Sequence, residues 1–321
     1  MDALLQQVTS LRRAITEFGP APHKPILLLA LFESFDEGEI ENNWIGINEA
    51  FLTRFYDLWN LLVRTRDAPN FSLTFFHLSN ERRGLWNLVL IPGKTFTTKH
   101  KFTYKSLKVL KETFLAAQLS EEFYSAITNG ANRKLLKAAL LNIYSPDRYT
   151  QKGEAIPRYS EEIEKQILYD PTHEYAVNII RHDHKKTIES REEEMILRDY
   201  IFRKAVLKTY NSQCAVSGLK VESSEEELLV DACHIVPFTQ TSDDSIRNGT
   251  ALSPTMHRAF DYGLIAIDDN YRILVQKKLK DYHPSTGILQ FENKAILLPR
   301  DEDFYPSLHR LAEHRLRFGY E

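Results

Sequence analysis

Apolar positions recur at helical spacing over residues 1–18, where Leu4, Leu5, Val8, Leu11 and Ile15 share one face. The run Gly19-Pro20-Ala21-Pro22 breaks that pattern. Pro25 sits where a first helical turn tolerates proline, and the segment ILLLALFESF behind it is apolar nearly all round, which predicts a buried helix. A further helix is expected over 48–63, carrying Phe51, Phe55, Leu58, Trp59 and Leu62. Short strands are expected at 73–78 and 85–90, separated by SNERRG, and helices near 104–117, 120–128 and 131–141. Trp44, Trp59 and Trp86 read as core.

Residues 145–190 are poorly periodic and hold Pro146, Pro157 and Pro171, so they read as a linker or a peripheral helical segment. A strong helix is expected over 191–210, with Ile196, Tyr200, Ile201, Val206 and Leu207 apolar. LLVDACHIVPF then reads as a strand ending in a proline turn, SDDSIRNG as a turn, and SPTMHRAFDYG as a short helix stopped by Gly263. More strands are expected up to residue 298, and no internal repeat is visible. The whole is an α+β pattern.

Composition is globular: 43% of the 321 residues are hydrophobic and 26% charged. No run of 18 apolar residues is present, so no membrane span is expected. The first residues lack the basic-then-apolar order of a secretory signal, and a cytoplasmic location is expected. Cys214 and Cys233 are too few for a disulfide framework or a four-cysteine zinc site. The net charge of −3 does not favour nucleic acid, but what decides that is clustering on one face. Lys94 to Lys108, with five lysines and no acid, and Arg181 to Lys186 are local basic stretches. Each reads equally as a solvated surface.

The chemistry concentrates in residues 214–268, where His234 lies on the expected strand and His257 on the expected helix. Asn248 falls between them, 14 residues after the first and nine before the second. This order resembles the HNH, or ββα-metal, endonucleases. The resemblance rests on Asp231, His234, Ile235, Pro237, Asn248, Gly249, Leu252, Ser253, His257, Arg258, Phe260 and Asp261. The upstream RDYIFRKAVLKTYNSQCAVSG is similar to the segment leading into such domains. The resemblance implies His234 as general base, His257 as a ligand of one divalent ion, and Asn248 as the brace between strand and helix. Hydrolysing a phosphodiester needs an activated water and a cation for the charge on phosphate oxygen. A neutral imidazole suits the first task near pH 7. Asp231 is the expected carboxylate at the metal. Magnesium or manganese is the expected ion.

Paired CxxC motifs are missing, so no structural zinc is expected and the apolar core should hold the fold. Cys233, just before the base, reads as a small buried hydrophobe, because sulfur suits magnesium poorly. Asp261 reads either as a ligand or as a local loop cap, with preference for the cap.

HKPILLLALFESF, followed about 40 residues on by FSLTFFHLSNERRGLWNL, resembles the DNA sulfur-binding domains of bacterial restriction endonucleases. Those domains recognise phosphorothioate DNA and are often fused to HNH domains. The resemblance places His23, Lys24, His77, Arg82 and Arg83 near a DNA-facing surface, and Leu73 and Thr74 where that family has a Tyr-Pro cup for sulfur. The expected organisation is a mostly helical DNA-recognition domain with a small sheet (1–145), a linker (146–190) and an HNH nuclease domain (191–321). The expected function is a restriction endonuclease acting on modified double-stranded DNA. A double-strand break implies a homodimer or two bound monomers, and a homodimer is the expected assembly. The alternatives are a sequence-specific restriction endonuclease and a catalytically silent DNA-binding regulator.

Overall fold

In the computed structural model, which describes residues 1–81, 84–96, 104–144, 158–169, 188–222, 228–277 and 279–320, the chain divides into two units. Unit 1 comprises Met1–Glu162 and Lys186–Leu197; unit 2 comprises Ile163–Lys185 and Arg198–Glu321.

Unit 1 is mainly helical. Its first helix, α1 (Asp2–Thr9), is shorter than the pattern suggests. The Thr9 and Ser10 hydroxyls donate back to the carbonyls of Leu5 and Gln6 at 2.7 and 2.6 Å, and the chain then forms a small ribbon, Ile15–Thr16 against Gly19–Pro20. Leu11 is buried, but Ile15 is 79% exposed, so only part of the apolar spacing beyond the helix reports on the core. Helix α2 (His23–Asp36) is the core element. From Ile26 to Phe32 no residue is more than 3% exposed, as its all-round apolar surface requires. Helix α3 (Glu49–Leu62) starts at Asn48, whose side chain accepts from the Phe51 amide at 2.9 Å.

Residues 73–78 form part of a helix, α4 (Phe71–Leu78), and not the expected strand. Asn70 caps it by accepting from the Leu73 amide at 2.7 Å. The buried Glu193 carboxylate accepts from the Phe71 and Ser72 amides at 2.9 and 2.8 Å. Three of the first-turn N–H groups, which a helix cannot satisfy internally, thus have acceptors. The β-prone aromatic run is then buried nearly all round among Phe51, Phe55 and Trp86.

A three-stranded antiparallel sheet completes this core. Its strands are β1 (Trp44–Gly46), β2 (Trp86–Leu90) and β3 (Phe114–Leu119), with β3 in the centre. The helix expected over 104–117 therefore divides into α5 (Leu107–Thr113) and this central strand. Ala116 and Ala117 favour a helix locally, but neighbours on both sides pair their backbone. Trp59 and Trp86 are buried as expected; Trp44 is 45% exposed. Helices α6 (Glu121–Thr128) and α7 (Gly130–Tyr144) pack on α2. Helices α8 (Tyr159–Tyr169) and α9 (Ile188–Thr209) each contribute residues to both units.

In unit 2, β4 (Asp231–His234) pairs antiparallel with β5 (Gly249–Leu252), so that His234 faces Gly249 and Cys233 faces Thr250. Helix α10 (Pro254–Asp261) follows at once and packs on both strands. Gly249 is required by close packing: a Cβ there would lie 2.6 Å from Val206 Cγ2 and 3.1 Å from Phe202 Cζ on α9. Gly263, with φ of 64°, ends the turn after α10. A second hairpin, β6 (Ile265–Ile267) with β7 (Ile273–Val275), and the C-terminal helix α11 (Leu308–Arg317) close the unit. No strand follows Val275 among the described residues, where strands were expected up to 298.

Candidate active site

Strand β4 carries Asp231 at its open end, opposite Leu252, and His234 at its loop end, opposite Gly249, with Cys233 between them; α10 brings His257 and Asp261 beside Asp231 and Cys233. His234 Nε2 lies 3.0 Å from Asp244 Oδ1, and Asp244 is 3% exposed. A carboxylate accepts only, so in the neutral ring Nε2 carries the proton and Nδ1 keeps the lone pair. The His234 ring is stacked on Phe202, with centroids 4.0 Å apart and planes 9° from parallel. Ring face and ring edge are therefore both fixed.

Asn248 is fully buried and holds the loop between strand and helix. Its Nδ2 donates to the carbonyls of Val236 and Asp243, each at 2.9 Å, and its Oδ1 accepts from the Val236 amide at 3.0 Å. The residues just after His234 are thereby tied to the loop that carries Asp244. Asp243, also fully buried, is held by Arg310 through Nε at 3.0 Å and Nη2 at 2.9 Å. The sequence reading missed Phe202, Asp243, Asp244 and Arg310. The one local signal was the acidic pair in SDDSIRN, which reads as turn chemistry unless its spacing from His234 is considered.

His257 stands between two carboxylates: Asp231 Oδ2 lies 3.5 Å from Nδ1, and Asp261 Oδ2 lies 3.4 Å from Nε2. Cys233, His257 and Asp261 form a group whose ligand atoms all lie within 4.8 Å of one another. An ion bound at about 2.0–2.3 Å per ligand spans atoms up to about 4.5 Å apart, so the group fits one small cation after slight closure. The donors are one soft sulfur, one imidazole and one hard carboxylate, a set suited to borderline divalent ions more than to magnesium. Burial, with Asp261 and Asp231 adding negative charge, pushes the Cys233 thiol well above its ordinary range, so without a cation it is protonated. A bound divalent ion reverses that preference. Cys233 is buried as the sequence suggested, but it belongs to this polar group, as does Asp261.

In unit 1, His23, Lys24, Leu73, Thr74 and His77, which the sequence singled out on separate segments, all line one cavity of about 530 Å³. Arg82 and Arg83 lie outside the described residues. His23 Nε2 is 3.0 Å from the Ala68 carbonyl, and burial lowers its pKa, which keeps the ring neutral. Lys24 is paired with Glu81. The Thr74 hydroxyl donates to the Asn70 carbonyl at 2.5 Å. Arg12 and Arg13, absent from the sequence-based set, share this lining.

Residues 214–268 match the protein family described as HNH endonuclease. An HNH endonuclease domain therefore occupies this part of the chain, and endonuclease is the enzyme class it defines. No curated protein matches the chain. Among solved structures it is similar to the modification-dependent TagI restriction endonuclease, at 20% identity and a TM-score of 0.28, over 36% of each chain. It is also similar to the Type IV phosphorothioation-dependent restriction endonuclease ScoMcrA, at 12% identity and a TM-score of 0.34, over 81% of this chain and 94% of that one. Among the described residues, no helix is long and apolar enough to cross a membrane.

Proposed function

We propose that the chain is a metal-dependent restriction endonuclease for modified DNA, in which unit 2 cuts the phosphodiester backbone and unit 1 binds the DNA through the surface around its cavity. The observation that carries this reading is the pairing of an oriented imidazole, His234 held by Asp244 at 3.0 Å, with the Cys233, His257 and Asp261 group on the same hairpin and helix. His234 Nδ1 takes the proton from the attacking water as its oxygen bonds to phosphorus and the ester P–O bond opposite it breaks, the departing alkoxide taking a proton from solvent. Asp244 keeps that nitrogen free and stabilises the imidazolium that forms. His257 with Asp261 and Cys233 holds one divalent ion. Asp231 serves the other nitrogen of the same ring, and a turned His257 would exchange the two carboxylates. The ion supplies positive charge for the developing oxyanions. The sulfur donor ranks manganese above magnesium.

One site cuts one strand, so a double-strand break calls for a homodimer or two bound copies. Phosphorothioate is the modification that the sequence resemblance suggests, and Leu73 and Thr74 are the residues proposed to meet it. With the Thr74 hydrogen committed to Asn70, its hydroxyl has no proton left for an ordinary phosphate oxygen. The test is nicking of supercoiled plasmids, with and without phosphorothioate linkages, in Mn²⁺ and in Mg²⁺. Faster nicking of the modified plasmid, lost by about 10²–10⁴-fold in His234→Ala while DNA binding persists, is expected. Full activity of the purified His234→Ala protein would remove His234 from the mechanism. Equal rates on both plasmids would remove the phosphorothioate preference.

A further inference from the structure

The unit 1 cavity is much larger than a cup for one atom. A sulfur in place of a phosphate oxygen occupies roughly one water's share of liquid volume, about 30 Å³, whereas the cavity measures about 530 Å³. Its size falls in the range of sites that enclose small organic molecules, roughly 300–1,000 Å³. Its lining is also uneven in character. Ala21 and Leu73 supply apolar wall, Arg12, Arg13 and Lys24 supply positive charge, and among the described residues no carboxylate is part of the lining. Glu81, the partner of Lys24, stands behind it and outside that lining. Asn80, hydrogen-bonded to His77 Nδ1 at 3.0 Å, adds an amide that can both donate and accept. An inorganic anion would lose water against the apolar wall without replacement, and a purely apolar ligand would leave the cations unused. A nucleotide has both parts: a flat base for the apolar wall and a phosphate for the basic residues.

We infer that this cavity receives a whole DNA nucleotide turned out of the duplex, its base inside and its phosphate toward the arginines. The inference rests on the reading that unit 1 binds DNA, and does not depend on which modification is recognised. Drawing a nucleotide out costs its stacking and pairing, and that cost is smallest for a base that is already unpaired.

The experiment measures binding of the full-length protein, in EDTA to prevent cleavage, to a set of duplexes of one sequence. One duplex is fully paired; four others carry A, C, G or T facing a single abasic site. Two variants narrow the cavity from different walls: Thr16→Trp from a half-buried position of the ribbon Ile15–Thr16, and Asn80→Trp from the exposed rim. Circular dichroism identifies which of them fold. Wild-type protein should bind at least one unpaired-base duplex about tenfold or more tighter than the paired one. That preference should vanish in each folded variant, while affinity for the paired duplex persists. Equal wild-type affinity for all five duplexes would overturn the inference and leave DNA binding by unit 1 standing. So would a preference that survives in both folded variants. Should only one variant fold, survival of the preference in that one decides against the inference. No affinity for any duplex at low salt would instead overturn the underlying assignment of unit 1 to DNA.

Discussion

Asn248 offers the sharpest separation between bracing and direct chemistry. Truncation to alanine leaves the Val236 amide, the Val236 carbonyl and the Asp243 carbonyl without the partners they now have at 2.9–3.0 Å. The side chain is fully buried, so the cost of each orphaned group is a large part of its desolvation penalty, about 1–3 kcal/mol. Some relaxation is available in a loop, and the expected total for Asn248→Ala is about 4 kcal/mol, a large share of a typical domain's stability of about 5–15 kcal/mol. Asn248→Asp has nearly the same shape and should be at least as harmful. One carboxylate oxygen still accepts from Val236, but the other replaces Nδ2 and faces two carbonyl oxygens. The assay is urea denaturation followed by two signals. All three tryptophans, Trp44, Trp59 and Trp86, belong to unit 1, so their fluorescence reports on that unit, whereas far-ultraviolet circular dichroism reports on both. The dichroism transition should move to lower urea by more than the fluorescence transition, and cleavage should fall with it. Wild-type stability in an inactive Asn248→Ala protein would refute the brace and put Asn248 in contact with DNA.

Three further outcomes are expected. Asp244→Asn should lower the nicking rate by about tenfold or more, within the roughly 10²–10⁴-fold that a general base supplies, because an amide no longer forces the proton onto Nε2; unchanged turnover would detach Asp244 from His234. Cys233→Asp should raise the Mg²⁺ rate relative to the Mn²⁺ rate, since it replaces the soft donor by a hard one; an unchanged ratio in plasmid nicking would exclude Cys233 from the ion. His314 is 3% exposed and stacked 3.7 Å from Phe260, and burial lowers its pKa from 6.5 to about 4. The unfolded chain then binds the proton more readily, so stability is full above about pH 6.5 and declines toward pH 4 by at most about 3 kcal/mol. His314→Leu should flatten that decline in pH-dependent denaturation; an unaltered slope would assign it to other groups.

The nuclease motif was legible because its parts lie within one short stretch. A strand, a turn and a helix read from local pattern put His234 and His257 on adjacent elements before any tertiary information. Asp244 lies in the same stretch, but its role depends on how the loop folds back to His234, and an acidic pair before Ser245 reads first as a turn. Helix α4 was misread for a related reason. Its aromatic run is β-prone, and its first-turn amides are met by Glu193, 122 residues from Phe71. A cap at that distance leaves no trace in a local window. The cavity shows both limits: His23, Lys24, Leu73, Thr74 and His77 were found by resemblance to a family. Arg12 and Arg13 follow a helix that ends earlier than its apolar spacing suggests, so their position could not be read from that spacing.

The Asn-Gly pair at 248–249 links the packing of unit 2 to its chemistry through two different properties. Asn248 acts through its polar atoms, tying the backbone after His234 to the loop that supplies Asp244. Gly249 acts through what it lacks. It faces His234 across the hairpin, and a Cβ there would lie 2.6 Å from Val206 and 3.1 Å from Phe202, well inside van der Waals contact. Any side chain at 249 must therefore displace this part of α9, and Phe202 is the ring that covers one face of the His234 imidazole. An imidazole held only by Asp244 could still rotate about the line of that hydrogen bond. An imidazole held only by the stack could still slide in its plane. The two constraints are independent, and together they leave Nδ1 a single direction. In the proposed mechanism the glycine serves catalysis without touching a reacting atom, because it permits the close approach that holds the His234 ring in place.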